Sequence, residues 1–312
     1  MNYILSKVNF ESSDGKNTIS GKIYIPKERD IRGIVQLAHG MTDHVARYEA
    51  LAEYLTGEGF VFAGNDHLGH GETAATDEDL GFFAAKDGVD LVLRDLHSMN
   101  KILRKTFPGI KPVIMGHSMG SFLSRLYVNK YPHTVSGHII HGTGGPMGAI
   151  LPFGKGLVHL ISLFRGKRYR STFVANMAFM GYNSKFPKEE GKNAWLTRDL
   201  EKVSGEDRNK YTTFIFTLSA YNDLFTMVGK SNSGKWFSSY PKELPTLVMS
   251  GDMDPVGNYG KGPSYVYKHL LMQGVNDLGL KLYEGARHEL FNETCADEVF
   301  RDMSDWLSGV FK

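Results

Sequence analysis

The feature that most constrains this chain is its alternation of short apolar runs with one-faced helical stretches. Ile34 to Ala38 is an apolar run ending in His39-Gly40, the pattern of a strand buried on both faces. Arg47 to Glu58 follows, with Tyr48, Leu51, Ala52 and Leu55 on one helical face and Gly57 and Gly59 as stops. Phe60 to Ala63 is the next apolar run. Strand, helix, strand at this spacing is a βαβ unit, and parallel strands joined this way need helices on both faces of the sheet. Upstream, Thr18 to Ile25 alternates apolar and polar residues like a half-exposed strand.

The rhythm continues downstream. Val92, Leu96, Met99 and Leu103 mark a helix, Val113 to Met115 a buried strand, Phe122 to Tyr131 a helix closed by Pro132, and Val135 to Ile140 a strand. It breaks after residue 145 and resumes with Thr246 to Met249 (strand), Tyr265 to Leu271 (helix), Leu280 to Tyr283 (strand) and Val299 to Val310 (helix). The expected architecture is a mostly parallel, doubly covered α/β sheet made of residues 1–145 and 237–312, with 146–236 inserted as a helical cap. A length of 312 residues suits one such domain, and 41% hydrophobic residues suffice for its core.

Composition excludes several classes of function. Lys and Arg number 36 against 34 Asp and Glu, so the basic face that binds nucleic acid is not expected. Cys295 is the single cysteine, which rules out an intramolecular disulfide framework and a cysteine metal cluster. The first ten residues lack the apolar run of a secretion signal, and no stretch has the roughly 18 apolar residues of a membrane helix. A soluble cytoplasmic protein is the expectation.

The chemistry is concentrated at strand ends. Val113-Ile114-Met115 runs into Gly116-His117-Ser118-Met119-Gly120 and directly into a helix. Gly-x-Ser-x-Gly between strand and helix forms a sharp turn that presents a serine hydroxyl above the sheet edge. A serine needs a base, and the base an orienting carboxylate. Gly251-Asp252-Met253-Asp254-Pro255 follows one strand and Glu284-Gly285-Ala286-Arg287-His288 another, so serine, acid and base can meet at one edge. Asp254, farther into its loop, is preferred as the acid over Asp252, which can cap the turn. Backbone N–H groups of Met41, in the loop after Ile34 to Ala38, and of Met119, after the serine, are the expected oxyanion donors.

His39-Gly40-Met41-Thr42-Asp43-His44 with Arg47-Tyr48, Asp66-His67-Leu68-Gly69-His70-Gly71, Gly116-His117-Ser118-Met119-Gly120 and Gly251-Asp252-Met253-Asp254-Pro255-Val256 together resemble the monoacylglycerol lipase and lysophospholipase group of α/β-hydrolases. The resemblance covers essentially the whole core. It implies an α/β-hydrolase fold, Ser118 as nucleophile, Asp254 as acid, His288 as base, Met41 and Met119 as oxyanion donors, and no cofactor. It also makes the histidine loops structural, although Asp66, His67, His70 and Glu72, or His39 with His44, could be drawn as metal sites; no metal is expected. One departure is the absence of the Arg that many members carry at the position of His67 or Leu68.

The insertion bears on substrate. Ala149 to Phe164 is an apolar stripe followed by the basic run Arg165 to Arg170, which suggests transient contact with a membrane surface. Phe179 and Phe216, among many aromatics and methionines, are the expected substrate-binding residues, since flat and flexible apolar groups suit an acyl chain. The expected partner is therefore a small hydrophobic acyl ester, hydrolysed through an acyl-enzyme. The rivals are a peptidase of the proline-iminopeptidase kind, for which Glu189, Glu190 or Glu206 could bind a substrate amine, a thioesterase, and a non-catalytic ligand-binding protein.

Overall fold

Strands that are apolar along their whole length must be covered on both sides, and this requirement organises the chain. A computed structural model describes residues 2–202 and 209–312. Strands β1 (Tyr3–Glu11), β2 (Thr18–Pro26), β3 (Gly33–Ala38), β4 (Phe60–Asn65), β5 (Val113–His117), β6 (Gly137–His141), β7 (Thr246–Gly251) and β8 (Leu278–Tyr283) form one sheet in the order β1-β2-β4-β3-β5-β6-β7-β8. β1 and β2 pair antiparallel with their neighbours; β3 through β8 are parallel to one another. The protein thus has the α/β-hydrolase fold.

Successive side chains of a strand point to opposite faces. Val113 and Met115 of β5 pack with residues of α1 (Glu49–Gly57) and α9 (Ala296–Val310). Ile114 between them packs with α2 (Gly88–Thr106), α3 (Met119–Lys130) and α8 (Lys261–Met272). Helix α3 starts at Met119, directly after the serine, and not at Phe122 as its apolar period suggested. β1 carries no such period: most of its residues are exposed, and it is a strand because it pairs with β2 from Tyr3 to Glu11.

Between β6 and β7 lie α4 (Ile150–Arg165), α5 (Thr172–Ala178), α6 (Leu218–Ser231) and α7 (Gly234–Ser238). Among its described residues this stretch forms no separate apolar cluster. Leu218, Ala220, Tyr221 and Met227 of α6 belong to the same apolar cluster as Leu96, Phe122 and Leu123 of α2 and α3. No helix among the described residues is long and apolar enough to cross a membrane.

Candidate active site

Ser118 joins β5 to α3 with φ 53° and ψ −118°, a conformation that costs a non-glycine residue about 1–3 kcal/mol. Tight packing around the turn enforces it. A Cβ at Gly116 would lie 2.2 Å from the Gly120 carbonyl oxygen, and one at Gly120 would lie 1.9 Å from that of Ala38, so neither position admits a side chain. The Ser118 N–H donates to the His141 carbonyl at 3.0 Å. The Ser121 hydroxyl, 2.6 Å from the Ser118 carbonyl oxygen and 2.8 Å from Thr143 Oγ1, braces the turn from the next strand's loop.

The loops after β7 and β8 bring the acid and the histidine together. His288 Nδ1 is 2.9 Å from Asp254 Oδ2, with both side chains buried. Asp254 Oδ1 also accepts from the Val256 N–H, which fixes the carboxylate. Asp252 instead accepts from the Gly285 N–H at 2.7 Å, tying the β7 loop to the β8 turn. With Nδ1 directed at Asp254, Nε2 is the histidine nitrogen left for a serine proton.

The loop after β3 approaches the serine from the other side: a Cβ at Gly40 would be 3.4 Å from Ser118 Cβ. Asp43 holds this loop, accepting from Gly40 N–H, His44 N–H and the Tyr48 hydroxyl. Burial would raise the Asp43 carboxyl, but the Arg47 guanidinium 2.9 Å away, with His39 and His117, holds it well below the usual carboxylate range. Arg47 also forks onto Glu289 at 2.8 and 3.0 Å, so one guanidinium joins the Met41 loop to the residue after His288. Met119 is the first residue of α3, where backbone N–H groups and the helix dipole favour negative charge.

A family model described as serine aminopeptidase, S33 (Hydrolase_4) matches residues 29–295. The chain belongs to that family. It is 24% identical to a monoacylglycerol lipase of Mycolicibacterium smegmatis, over 90% of this chain and 89% of that protein. It is 27% identical to the monoglyceride lipase of Homo sapiens, over 89% of this chain and 82% of that one. A thermostable carboxyl esterase from Bacillus coagulans, solved in complex with glycerol, superposes with a TM-score of 0.89 at 28% identity, covering 99% of each chain. A soluble variant of the Saccharomyces cerevisiae monoglyceride lipase shares the fold, with a TM-score of 0.78 at 22% identity over 99% of this chain and 96% of that one. The protein is a carboxylic ester hydrolase.

The stretch between β6 and β7 contributes an aromatic wall around His288. Trp195 lies over His288, ring centroids 5.1 Å apart, and packs against Tyr182 at 5.0 Å and Phe179 at 5.9 Å. Burial and the Asp254 charge push the Tyr182 hydroxyl up to about 12. Phe179 is half-buried one ring away from the histidine. Phe216 has no exposed surface; it packs among His70, Phe83, Phe214 and Tyr221, so it supports the structure and cannot touch a ligand without rearrangement. In the sequence Trp195 is marked only as one of three tryptophans, close to the acidic pair Glu189-Glu190.

Of the remaining candidates, Asp66, Glu72 and His39 are engaged in the framework, whereas both ring nitrogens of His67 and Nε2 of His70 are buried without a hydrogen-bond partner. Asp66 accepts from the N–H groups of Val45 and Glu72, and Glu72 pairs with Lys22 at 2.9 Å. His39 Nε2 accepts from the His67 N–H, which places the His39 proton on Nδ1 towards the Gly40 carbonyl. Among the described residues no group of three or more His, Cys, Asp or Glu is disposed to hold a metal ion. The basic run does not simply face outward as expected. Lys167, Arg168 and Arg170 bond to the core loop at Ala85, Asp79 and the carbonyls of Glu78 and Leu80, and Arg165 lies over Tyr169. Glu190 pairs with Arg287 at 2.6 Å, Glu189 is exposed, and Glu206 lies outside the described residues.

Proposed function

We propose that the protein cleaves hydrophobic acyl esters, monoacylglycerols in type, through an acyl-enzyme on Ser118, beneath a cap formed by residues 146–236. The observations that carry this reading are the strained Ser118 turn, a buried His288–Asp254 pair 2.9 Å apart, and the ring of His117, the residue before the serine, 4.8 Å from that of His288. His288 Nε2 takes the Ser118 proton as Oγ bonds to the ester carbonyl carbon. The oxyanion is held by the N–H groups of Met41 and Met119. The intermediate collapses, the bond to the leaving alcohol breaks, and His288 returns the proton to that oxygen. Water then attacks the acyl-Ser118 carbonyl by the same route, releasing the acid and free serine. Asp254 keeps the imidazole oriented and supports its positive charge while it holds the proton.

The ester reading is favoured over the peptidase reading by Glu190, whose charge is matched by Arg287 and is not left to bind a substrate amine. The monoacylglycerol class rests on the relatives' activity and on the cap. On α4, Ile150, Phe153, Leu160 and Leu163 turn outward, and Phe164 is 81% exposed. A stripe of this kind suits the boundary of a lipid surface that supplies the substrate.

A fluorophosphonate should label Ser118, and Ser118→Ala should abolish both labelling and turnover. In a panel of p-nitrophenyl esters, monoacylglycerols, lysophospholipids and aminoacyl amides, kcat/KM should rise with acyl length from acetate to about eight carbons, because each buried methylene contributes about 0.8 kcal/mol. Labelling on another serine, or amides cleaved faster than every ester, would overturn the reading.

A further inference from the structure

The His288 imidazole is packed against two aromatic rings: that of His117, centroids 4.8 Å apart and inclined by 43°, and the Trp195 indole, 5.1 Å away and inclined by 35°. Both separations fall in the contact range of aromatic pairs. The side chain is 2% exposed, so these neighbours fill the space in which the ring could turn. Its Nδ1 edge is taken by Asp254. His117 is itself fixed, with Nδ1 2.8 Å from His141 Nδ1, and burial, reinforced by His288 itself, pushes it well below the usual histidine range. One of these two nitrogens therefore carries the proton and donates it to the other.

Trp195 is registered to the histidine by the backbone as well as by its ring. The His288 N–H donates to the Trp195 carbonyl at 3.4 Å, and the Glu289 N–H to the Leu196 carbonyl at 2.7 Å. Arg287 donates to the Ala194 carbonyl and Glu190 at 2.6 Å each, and Arg198 binds Glu293 at 2.8 Å. The Trp195 backbone N–H donates to Asn183 Oδ1, and Tyr182 meets the indole edge-on.

We propose that Trp195 is a positioning residue for the ester hydrolysis: the cap supplies one wall of the slot that holds His288 with Nε2 towards Ser118. The proposal rests on His288 being the base in the reading above. A flat π face on the imidazole limits its rotation while Nδ1 stays on Asp254, and it favours the imidazolium formed at the first proton transfer. The cap then contributes to the chemical step itself, in addition to covering the acyl chain.

The test compares Trp195→Leu, Trp195→Met and Trp195→Phe in the full chain with p-nitrophenyl acetate, an ester too short to need the cap's apolar surface. In the Leu and Met variants kcat should fall about tenfold or more with KM within about twofold, the signature of misplaced catalytic geometry. Fluorophosphonate labelling should slow in step. Trp195→Phe should recover most of the rate. The downfield proton resonance between His288 and Asp254 should shift when the indole's ring current is removed. Unchanged kcat, a rise in KM alone, equal losses in all three variants, or failure of both non-aromatic variants to fold would each overturn the proposal. Failure of the unmodified protein to label on Ser118 would instead remove the ester-hydrolase reading beneath it.

Discussion

The two aspartates after β7 differ by two positions and by everything else. Asp254 is wholly buried against His288; Asp252 is half-buried and ends the turn before β8's loop through the Gly285 N–H. Asp254→Asn should lower kcat by roughly three to four orders of magnitude, since the amide neither fixes the imidazole tautomer nor supports its charge. Asp252→Asn should cost about 1 kcal/mol of stability by weakening a charge-assisted hydrogen bond, with kcat nearly unchanged. Steady-state kinetics and urea unfolding of both variants decide the matter; reversed penalties would exchange the roles.

Among the elements, α6 shows how the stretch between β6 and β7 is secured. Asp223 points into the first turn of α2, where a Cβ at Gly88 would come within 2.1 Å of its Oδ2. Burial pushes its carboxyl up to about 7, helped by Asp87 and opposed by the Val89 N–H, Lys155 and Lys167. The folded state therefore binds this proton more tightly than the unfolded chain, whose carboxyl titrates near 3.8. Stability from this site is greatest at low pH, declines as pH rises towards about 7 and levels off above it. Melting temperatures of Asp223→Asn should accordingly gain on those of the unmodified protein over that interval. Parallel curves from pH 4 to 8 would show that the carboxyl is not titrating there.

Arg125 performs a related task through neutral oxygen acceptors. Wholly buried on α3, it donates to Ser231 and Asn232, where α6 ends, and to Thr143 and Gly144, where the chain leaves β6. Its guanidinium lies 4.4 Å over the Trp236 ring. Burial brings it down to about 9. One side chain on the helix that begins at the serine thus joins the chain leaving β6 to the end of α6.

On the scale of the whole molecule, the reaction centre and the exposed α4 stripe are parts of one chain, and the stripe has a separable consequence. Leu163→Ser with Phe164→Ser should reduce binding to lipid vesicles and lower turnover of vesicle-borne monoacylglycerol, while p-nitrophenyl acetate hydrolysis stays within about twofold, because the residues replaced contribute interfacial area alone. Co-sedimentation and a dissolved-substrate assay separate the two effects; equal loss on both substrates would place these side chains in the folded framework.

The parallel strands, their covering helices and the turn at Ser118 were legible because each follows from local regularities: apolar runs, a helical period, and glycines where packing forbids a side chain. The placement of Ser118, Asp254 and His288 in the loops after β5, β7 and β8 was legible for the same reason, each standing after a strand. Other features depend on residues remote in sequence. β1 is a strand only through its partner β2, and Phe216 is sealed by His70 and Phe83 from the core. Arg168 and Arg170 are spent on a loop some ninety positions earlier, which no local reading of a basic run can foresee. Trp195 reaches His288 across a comparable distance in the chain. A sequence displays the preferences of neighbours along the backbone; which distant surfaces meet is decided by the joint burial of all of them, and it is there that Asp254, Trp195 and Arg47 acquire their partners.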